Sequence, residues 1–207
     1  MTDFPAAFDG PWHSLSDDIT ALLGERLHDF GLIERPRQRV KAARVRDLAF
    51  YPGQLLCDIH IATLAKPDAW LSCLYGETGL RALTGESEVI HRLNRAHKPD
   101  LSDTALQEEY LKFFCRFVHG QEGPFELITS GGQVEGPAPA PPRFDEDKKI
   151  WSATVLYGTA LFAADFTVST SGNVTMEDDV PLAEDIRRNP DVIHDGALRR
   201  LRPSEET

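Results

Sequence analysis

Long apolar runs are missing from this sequence. No stretch of about 18 apolar residues occurs, so no membrane-spanning helix is expected. The opening residues, MTDFPAAFDGPW, have neither a basic start nor an apolar core, and no secretory signal is expected from them. Cysteine is scarce: Cys57, Cys73 and Cys115 make three in all. An odd number of cysteines in apolar surroundings fits reduced, packed thiols in a cytoplasmic protein better than a disulfide framework. Basic charge is outnumbered, with 22 Lys and Arg against 33 Asp and Glu and a net charge of −11. Such a field repels phosphates, so neither nucleic acid nor an anionic membrane is an expected partner, while a basic protein partner is compatible. Recurrent catalytic signatures are absent too: no G-x-G-x-x-G, Walker A, H-E-x-x-H, G-x-S-x-G or C-x-x-C occurs. This counts against the nucleotide-binding and hydrolase classes built on those motifs and leaves enzymes in general open.

What is present is enough apolar residue to build a core. Hydrophobic content of 41% with 27% charged residues is ordinary for a globular chain. The segment from Asp103 to His119, DTALQEEYLKFFCRFVH, places Leu106, Tyr110, Phe113 and Phe117 on one helical stripe. Leu111, Phe114, Cys115 and Val118 widen that stripe past half the girth, so this helix must be clasped by other elements. Ser102 or Asp103 caps it, and Thr104 with Gln107 has capping-box spacing. Ile19, Leu22, Leu23, Leu27 and Phe30 predict an earlier amphipathic helix behind Ser16, and Glu86–Ala96 a short one.

The strands follow from alternation and turn chemistry. Phe50-Tyr51-Pro52-Gly53 is a turn, which makes Val45–Phe50 and Gln54–Leu64 a hairpin. Arg35 to Lys41 alternates as a strand with its cations on one side, either a solvated face or a patch for an acidic partner. Trp70–Tyr75 is a third strand, and the glycine-rich stretch around Leu80 and Leu83 reads as loop. Lys149–Tyr157, Leu161–Ser169 and Val174–Glu177 form a meander joined by tight turns. Pro181 is placed to open a short helix running to Asn189, and the chain from about Pro190 reads as a frayed tail. Residues 130–143, rich in proline and glycine, read as a mobile loop. The whole, residues 1–207, is expected to be a single α+β domain. Its antiparallel sheet of about six to seven strands would pack on the central amphipathic helix.

Candidate functional residues are sparse. Asp58 and His60 share a strand face and could do acid–base work if that face lines a cup, with Asp165 joining if its strand lies close. Cys115 and His119, four apart, would be neighbours on a helix, where they could activate a thiolate or bind a ligand; packed core and helix end are the simpler roles. Trp151 and Tyr157, with Trp12 and Trp70, could stack a ligand or, more simply, fill the core. His91 and His97 read as surface histidines. Glu177, Asp178, Asp179, Glu184 and Asp185 read as a solvated acidic run without EF-hand spacing. No metal or cofactor is expected. Two functions remain: a non-catalytic binding or protein-interaction module, which could be a homodimer packed through Trp151, Val155 and Tyr157; or a small enzyme using His and Asp.

Overall fold

The computed structural model describes residues 4–34, 38–63, 68–129, 133–135, 139–188 and 191–202. Arg35 and Arg37 of the cation row, residues 130–132 and 136–138 of the Pro/Gly-rich segment, Asn189, Pro190 and the last five residues lie outside these. In chain order the first elements are β1 (His13–Ser14), α1 (Asp17–Asp29), β2 (Gln38–Asp47), β3 (Leu55–Thr63), β4 (Ala69–Gly76) and β5 (Gly79–Ala82). Two helices follow, α2 (Ser87–Ala96) and α3 (Thr104–Phe117), then short strands β6 (His119–Gly120), β7 (Gly123–Pro124), β8 (Glu126–Leu127), β9 (Val134–Glu135) and β10 (Arg143–Asp145). The remainder is β11 (Ile150–Tyr157), β12 (Ala160–Val168), β13 (Val174–Ala183), β14 (Arg187–Arg188), β15 (Val192–Asp195) and β16 (Leu198–Leu201). The fold is mixed, with three helices and antiparallel sheets, and sheet predominates.

Chain contacts group into two compact units. Residues 1–48, 52–84 and 192–207 form the first; residues 49–51 and 85–191 form the second.

The first unit is a seven-stranded sheet in the order β1-β2-β3-β4-β16-β15, with β5 also on β4. The Pro52-Gly53 turn joins β2 to β3 as the sequence indicates, and Gly53 takes the left-handed φ of 79° that such a turn requires. Strict alternation along β3 then sorts its side chains. Cys57, Ile59 and Ile61 pack on one face with Ala43, Leu71, Cys73 and Leu27 of α1. Asp58 and His60 point to the other. The tail read as frayed supplies β15 and β16, a hairpin that pairs Leu198 with Leu71 and Arg199 with Trp70. Helix α1 forms over the expected residues, but Ile19, Leu22 and Phe30 are exposed; Thr20, Gly24 and Leu27 make its buried side.

The second unit holds the apolar helix. In α3, Tyr110, Leu111, Phe113, Phe114, Cys115 and Phe117 are all buried, and the Asp103 carboxylate caps it by accepting from the Leu106 N–H at 2.8 Å. Leu111 and Cys115 rest on Trp151, Ala153, Val155, Ala164 and Phe166 of the β10-β11-β12-β13 sheet, which also carries β8 on β11. The expected architecture is therefore corrected: the larger sheet packs on α1, α3 packs on the smaller sheet, and strands outweigh helices. Phe50 and Tyr51, read as turn residues, place their rings beside Tyr110 and Phe113, with centroids 5.3 Å apart for Phe50–Phe113. Beside them Tyr51 donates to Asn94 Oδ1; Asn94 Nδ2 donates to Tyr110 Oη at 2.8 Å and to the Gly172 carbonyl at 3.1 Å; Tyr110 donates to the same carbonyl at 2.6 Å. Burial pushes the Tyr110 phenol up to about 12.

One further expectation is corrected. Pro181 does not start a helix; β13 runs on through it to Ala183, and Pro181 is tolerated because β13 is an edge strand. Within the Pro/Gly-rich segment, β9 pairs with β14, and Ala140 N–H donates to Thr154 Oγ1 at 3.0 Å.

Candidate functional site

The polar face of the first unit carries Asp58 and His60, two of the residues that the sequence singles out. Asp58 is fully buried. Its Oδ2 accepts from Arg44 Nε at 2.9 Å, Arg44 Nη2 at 2.6 Å and the Ala7 N–H at 3.3 Å, and its Oδ1 accepts from Arg199. The same arginines hold the chain at Phe4 and Pro5 onto the sheet. Arg44 donates to the Phe4 carbonyl at 3.3 Å and Arg199 to the Pro5 carbonyl at 3.1 Å. Phe4 stacks on Trp70 with centroids 5.4 Å apart, and Arg44 lies 4.5 Å from the Trp70 ring. Both Asp58 oxygens face a guanidinium, which is the environment of a structural ion pair and not of a proton shuttle.

His60 does not pair with Asp58. It stacks on Trp70 at 5.0 Å and hydrogen-bonds Asp68 at 3.0 Å, while Lys41 reaches the same carboxylate oxygen at 2.8 Å. The Lys41 hydrogen bond, helped by His60, holds the Asp68 carboxyl below the usual range. Asp165 belongs to the second unit.

In that unit the Cys115–His119 pair loses its premise. The helix ends at Phe117, and Val118 is extended with φ −105° and ψ 127°, so the two residues are not helical neighbours. Cys115 faces the sheet, and burial raises its thiol well above its ordinary range. His119 turns toward Gly85, whose carbonyl accepts its backbone N–H at 2.8 Å. Burial, then the charges of Arg116 and Arg188, press its imidazole down to about 4. Trp151 is buried against Phe144, and Tyr157 stacks on Phe125 at 4.4 Å. The face carrying Trp151 and Val155 is covered by Leu111 and Cys115 of α3. Among the described residues no three His, Cys, Asp or Glu side chains converge as a metal site, and no helix is long and apolar enough to cross a membrane.

The outer face of the second unit's sheet is different. A groove of about 740 Å³ crosses it, lined by Pro141, Pro142 and Arg143, then Ser152 and Thr154 of β11, Ala163 and Asp165 of β12, and Asp178, Asp179, Val180 and Leu182 of β13. Its position follows from register. Ser152 lies opposite Asp165, and Asp165 opposite Asp178; Thr154 lies opposite Ala163, and Ala163 opposite Val180. Two rows therefore run across the strands. One is polar and ends in two facing carboxylates. The other is small and apolar and ends in a half-exposed valine. Val180 and Leu182 are 55% and 50% exposed.

No protein-family model, no curated protein and no solved structure matches this chain.

The site therefore stands on its own chemistry. The groove's volume lies within the roughly 300–1,000 Å³ range of small-ligand sites. Asp165 receives a hydrogen bond from Ser152 Oγ at 2.6 Å, and Asp178 Oδ1 receives one from the Asp179 N–H at 3.0 Å. Among the described residues no cation pairs with either carboxylate. The arrangement has acceptors, an apolar wall and a Ser152 hydroxyl held by the Asp165 carboxylate. Of the groove residues, Asp165 was singled out from the sequence, and Asp178 and Asp179 were read as part of a solvated run. Their opposition to Asp165 depends on strand register and on a bulge between Asp165 and Phe166, which periodicity alone does not give.

Proposed function

We propose that this protein is a non-catalytic binding or protein-interaction module whose ligand lies in the groove on the outer face of the β10–β13 sheet. The observation that carries this is the groove itself: an open, largely apolar channel on a sheet face, with Val180 and Leu182 left half-exposed beside unpaired carboxylates. Isolated exposed apolar side chains are ordinary on protein surfaces; apolar side chains aligned along one concavity with a few polar groups are the usual form of a binding site. Catalysis has less support. Asp58 is saturated by arginines, His60 is engaged by Asp68 and Trp70, and Asp165 lies in the other unit. The buried thiols of Cys57, Cys73 and Cys115 support a cytoplasmic setting.

The reading is tested with Nile red, a neutral apolar dye, and the exposed floor position Ala163. Wild-type protein should enhance the dye's emission, and Ala163→Trp, which fills the floor, should abolish the enhancement while leaving the melting temperature within a few degrees. Equal enhancement by both proteins, or none by wild type, would overturn it.

A further inference from the structure

Asp165 and Asp178 form a like-charge pair across two strands. They stand directly opposite each other on adjacent antiparallel strands and on the same face. Like charges so placed destabilise a sheet. The partners they do have, the Ser152 hydroxyl and the Asp179 N–H, are neutral. Arg143 stands at the far end of the same row, beyond Ser152, about two strand spacings or roughly 10 Å from Asp165. The row therefore has a cationic end and a doubly anionic end, with the anionic end unbalanced.

The adjoining row supplies the complementary half. Pro141 and Pro142 on one side and Val180 and Leu182 on the other form apolar walls, and the floor between them is Thr154 and Ala163. Short floor residues let a linear side chain lie flat. A lysine or arginine stem is such a chain: its methylenes cover apolar surface while its head seeks solvent or a carboxylate. The channel is open, so a polypeptide could enter and leave it on either side.

We infer that the groove receives a basic, extended segment of a partner protein, with a lysine or arginine stem along Ala163 and Val180 and its charged head between Asp165 and Asp178. This rests on the groove being the binding site proposed above. A second copy of this chain is disfavoured as occupant, because it would bring its own share of a net charge of −11 to an acidic row. A free polyamine would answer the carboxylates but leave the apolar walls unused.

The test uses the full ¹⁵N-labelled chain and backbone amide shifts. Three probes are titrated: acetyl-Leu-Lys-Leu-Lys-Leu-amide, its analogue with glutamine at both lysine positions, and spermine. The lysine peptide should move the amides of Ala163, Asp165, Asp178 and Val180 and bind roughly three- to tenfold more tightly than the glutamine peptide, the scale of one or two exposed charge pairs. Asp165→Asn with Asp178→Asn should bring the lysine peptide down to the glutamine level. Arg143→Ala, which removes a competing cation, should tighten it. Because the asparagine changes relieve a like-charge contact, they should raise the melting temperature, so weaker binding could not be ascribed to unfolding. Equal binding of both peptides in the groove would overturn the inference and leave the groove as the site. Spermine binding as tightly as the lysine peptide would overturn the assignment to a protein segment. No groove shifts with any probe, together with no Nile red binding, would overturn both the inference and the reading beneath it.

Discussion

Asp58 offers the sharpest stability experiment on this protein. It is fully buried and takes hydrogen bonds from two guanidinium groups and one amide. Asp58→Asn keeps the shape and removes the charge. Arg44, whose side chain is 22% exposed, can turn part of its charge to water; Arg199, at 3%, cannot. The variant therefore strands one buried cation, which costs about 3–5 kcal/mol when one partner of a buried pair is removed. Arg199→Met is the informative companion. It leaves Asp58 with the two-point contact from Arg44, so it should cost less, about 1–3 kcal/mol, the scale of a lost charged hydrogen bond. In the double variant no stranded arginine remains at position 199, so the two losses should fall short of additive by about 0.5–3 kcal/mol.

Urea unfolding followed by circular dichroism gives each value from the midpoint and slope. Limited proteolysis gives an independent readout, because the Ala7 amide and the Phe4 and Pro5 carbonyls hang on the same three side chains. Cleavage within residues 4–12 should accelerate in Asp58→Asn before global unfolding does. A loss below about 1 kcal/mol for Asp58→Asn, or a larger loss for Arg199→Met than for Asp58→Asn, would refute this account of the ion pair.

Three other outcomes are expected. His119 has its imidazole pressed down to about 4, so between pH 6.5 and 4 the unfolded chain binds a proton that the folded chain refuses. Stability should fall as pH drops through that window; His119→Gln should flatten that part of the profile, and the His119 ring signal should titrate near 4 by NMR. Gly172 has φ +78°, and a Cβ there would lie 2.5 Å from Asn94 Nδ2 and 2.7 Å from Tyr110 Oη. Gly172→Ala should therefore destabilise by roughly 2–4 kcal/mol through backbone strain and overpacking, measured by urea unfolding; a loss within 0.5 kcal/mol, as for an ordinary surface change, would show that the turn yields freely. Phe113→Ala empties the centre of the Phe50, Tyr51 and Phe117 cluster and should cost about 3–5 kcal/mol, with a thermal melt as the check.

Local chemistry in the sequence was a good guide to local structure. Pro52-Gly53 set the β2–β3 hairpin, tight turns set the β11–β13 meander, and the girdle of apolar residues marked α3 as a buried helix. What it could not convey was which distant partner each residue meets. Tyr51 sits in a real turn, yet its ring belongs to the aromatic core beside α3. Arg199 looked like part of a charged, frayed end; its partner Asp58 is 141 positions away, and that pairing draws the end into the sheet. Ile19 and Leu22 have helical spacing and form a helix, but periodicity says only that one face is apolar, and both are left exposed. At His119 an i,i+4 relation was read through a helix end fixed by a bridge between Val118 and Gly85. No local signal announces that bridge.

Asp58 and Asp165 show why the groove could be named from the sequence only in part. Each sits on a strand between apolar neighbours, Cys57 and Ile59 in one case and Ala164 and Phe166 in the other, and nothing in those triplets separates them. Their surroundings do. Asp58 faces two cations in a sealed site, so its charge is more than neutralised by the chain itself and is used up in holding strands together. Asp165 faces one hydroxyl and a second carboxylate beside an open channel, so its charge is left unanswered. Burial with surplus donors marks a structural carboxylate; an exposed carboxylate with no cation beside it is solvated by water and open to a basic group from outside. On that criterion a basic partner is expected at Asp165 and Asp178 and not at Asp58. An Asp58 variant should accordingly lose stability while keeping whatever affinity the groove has, and the Asp165 and Asp178 variants should do the reverse.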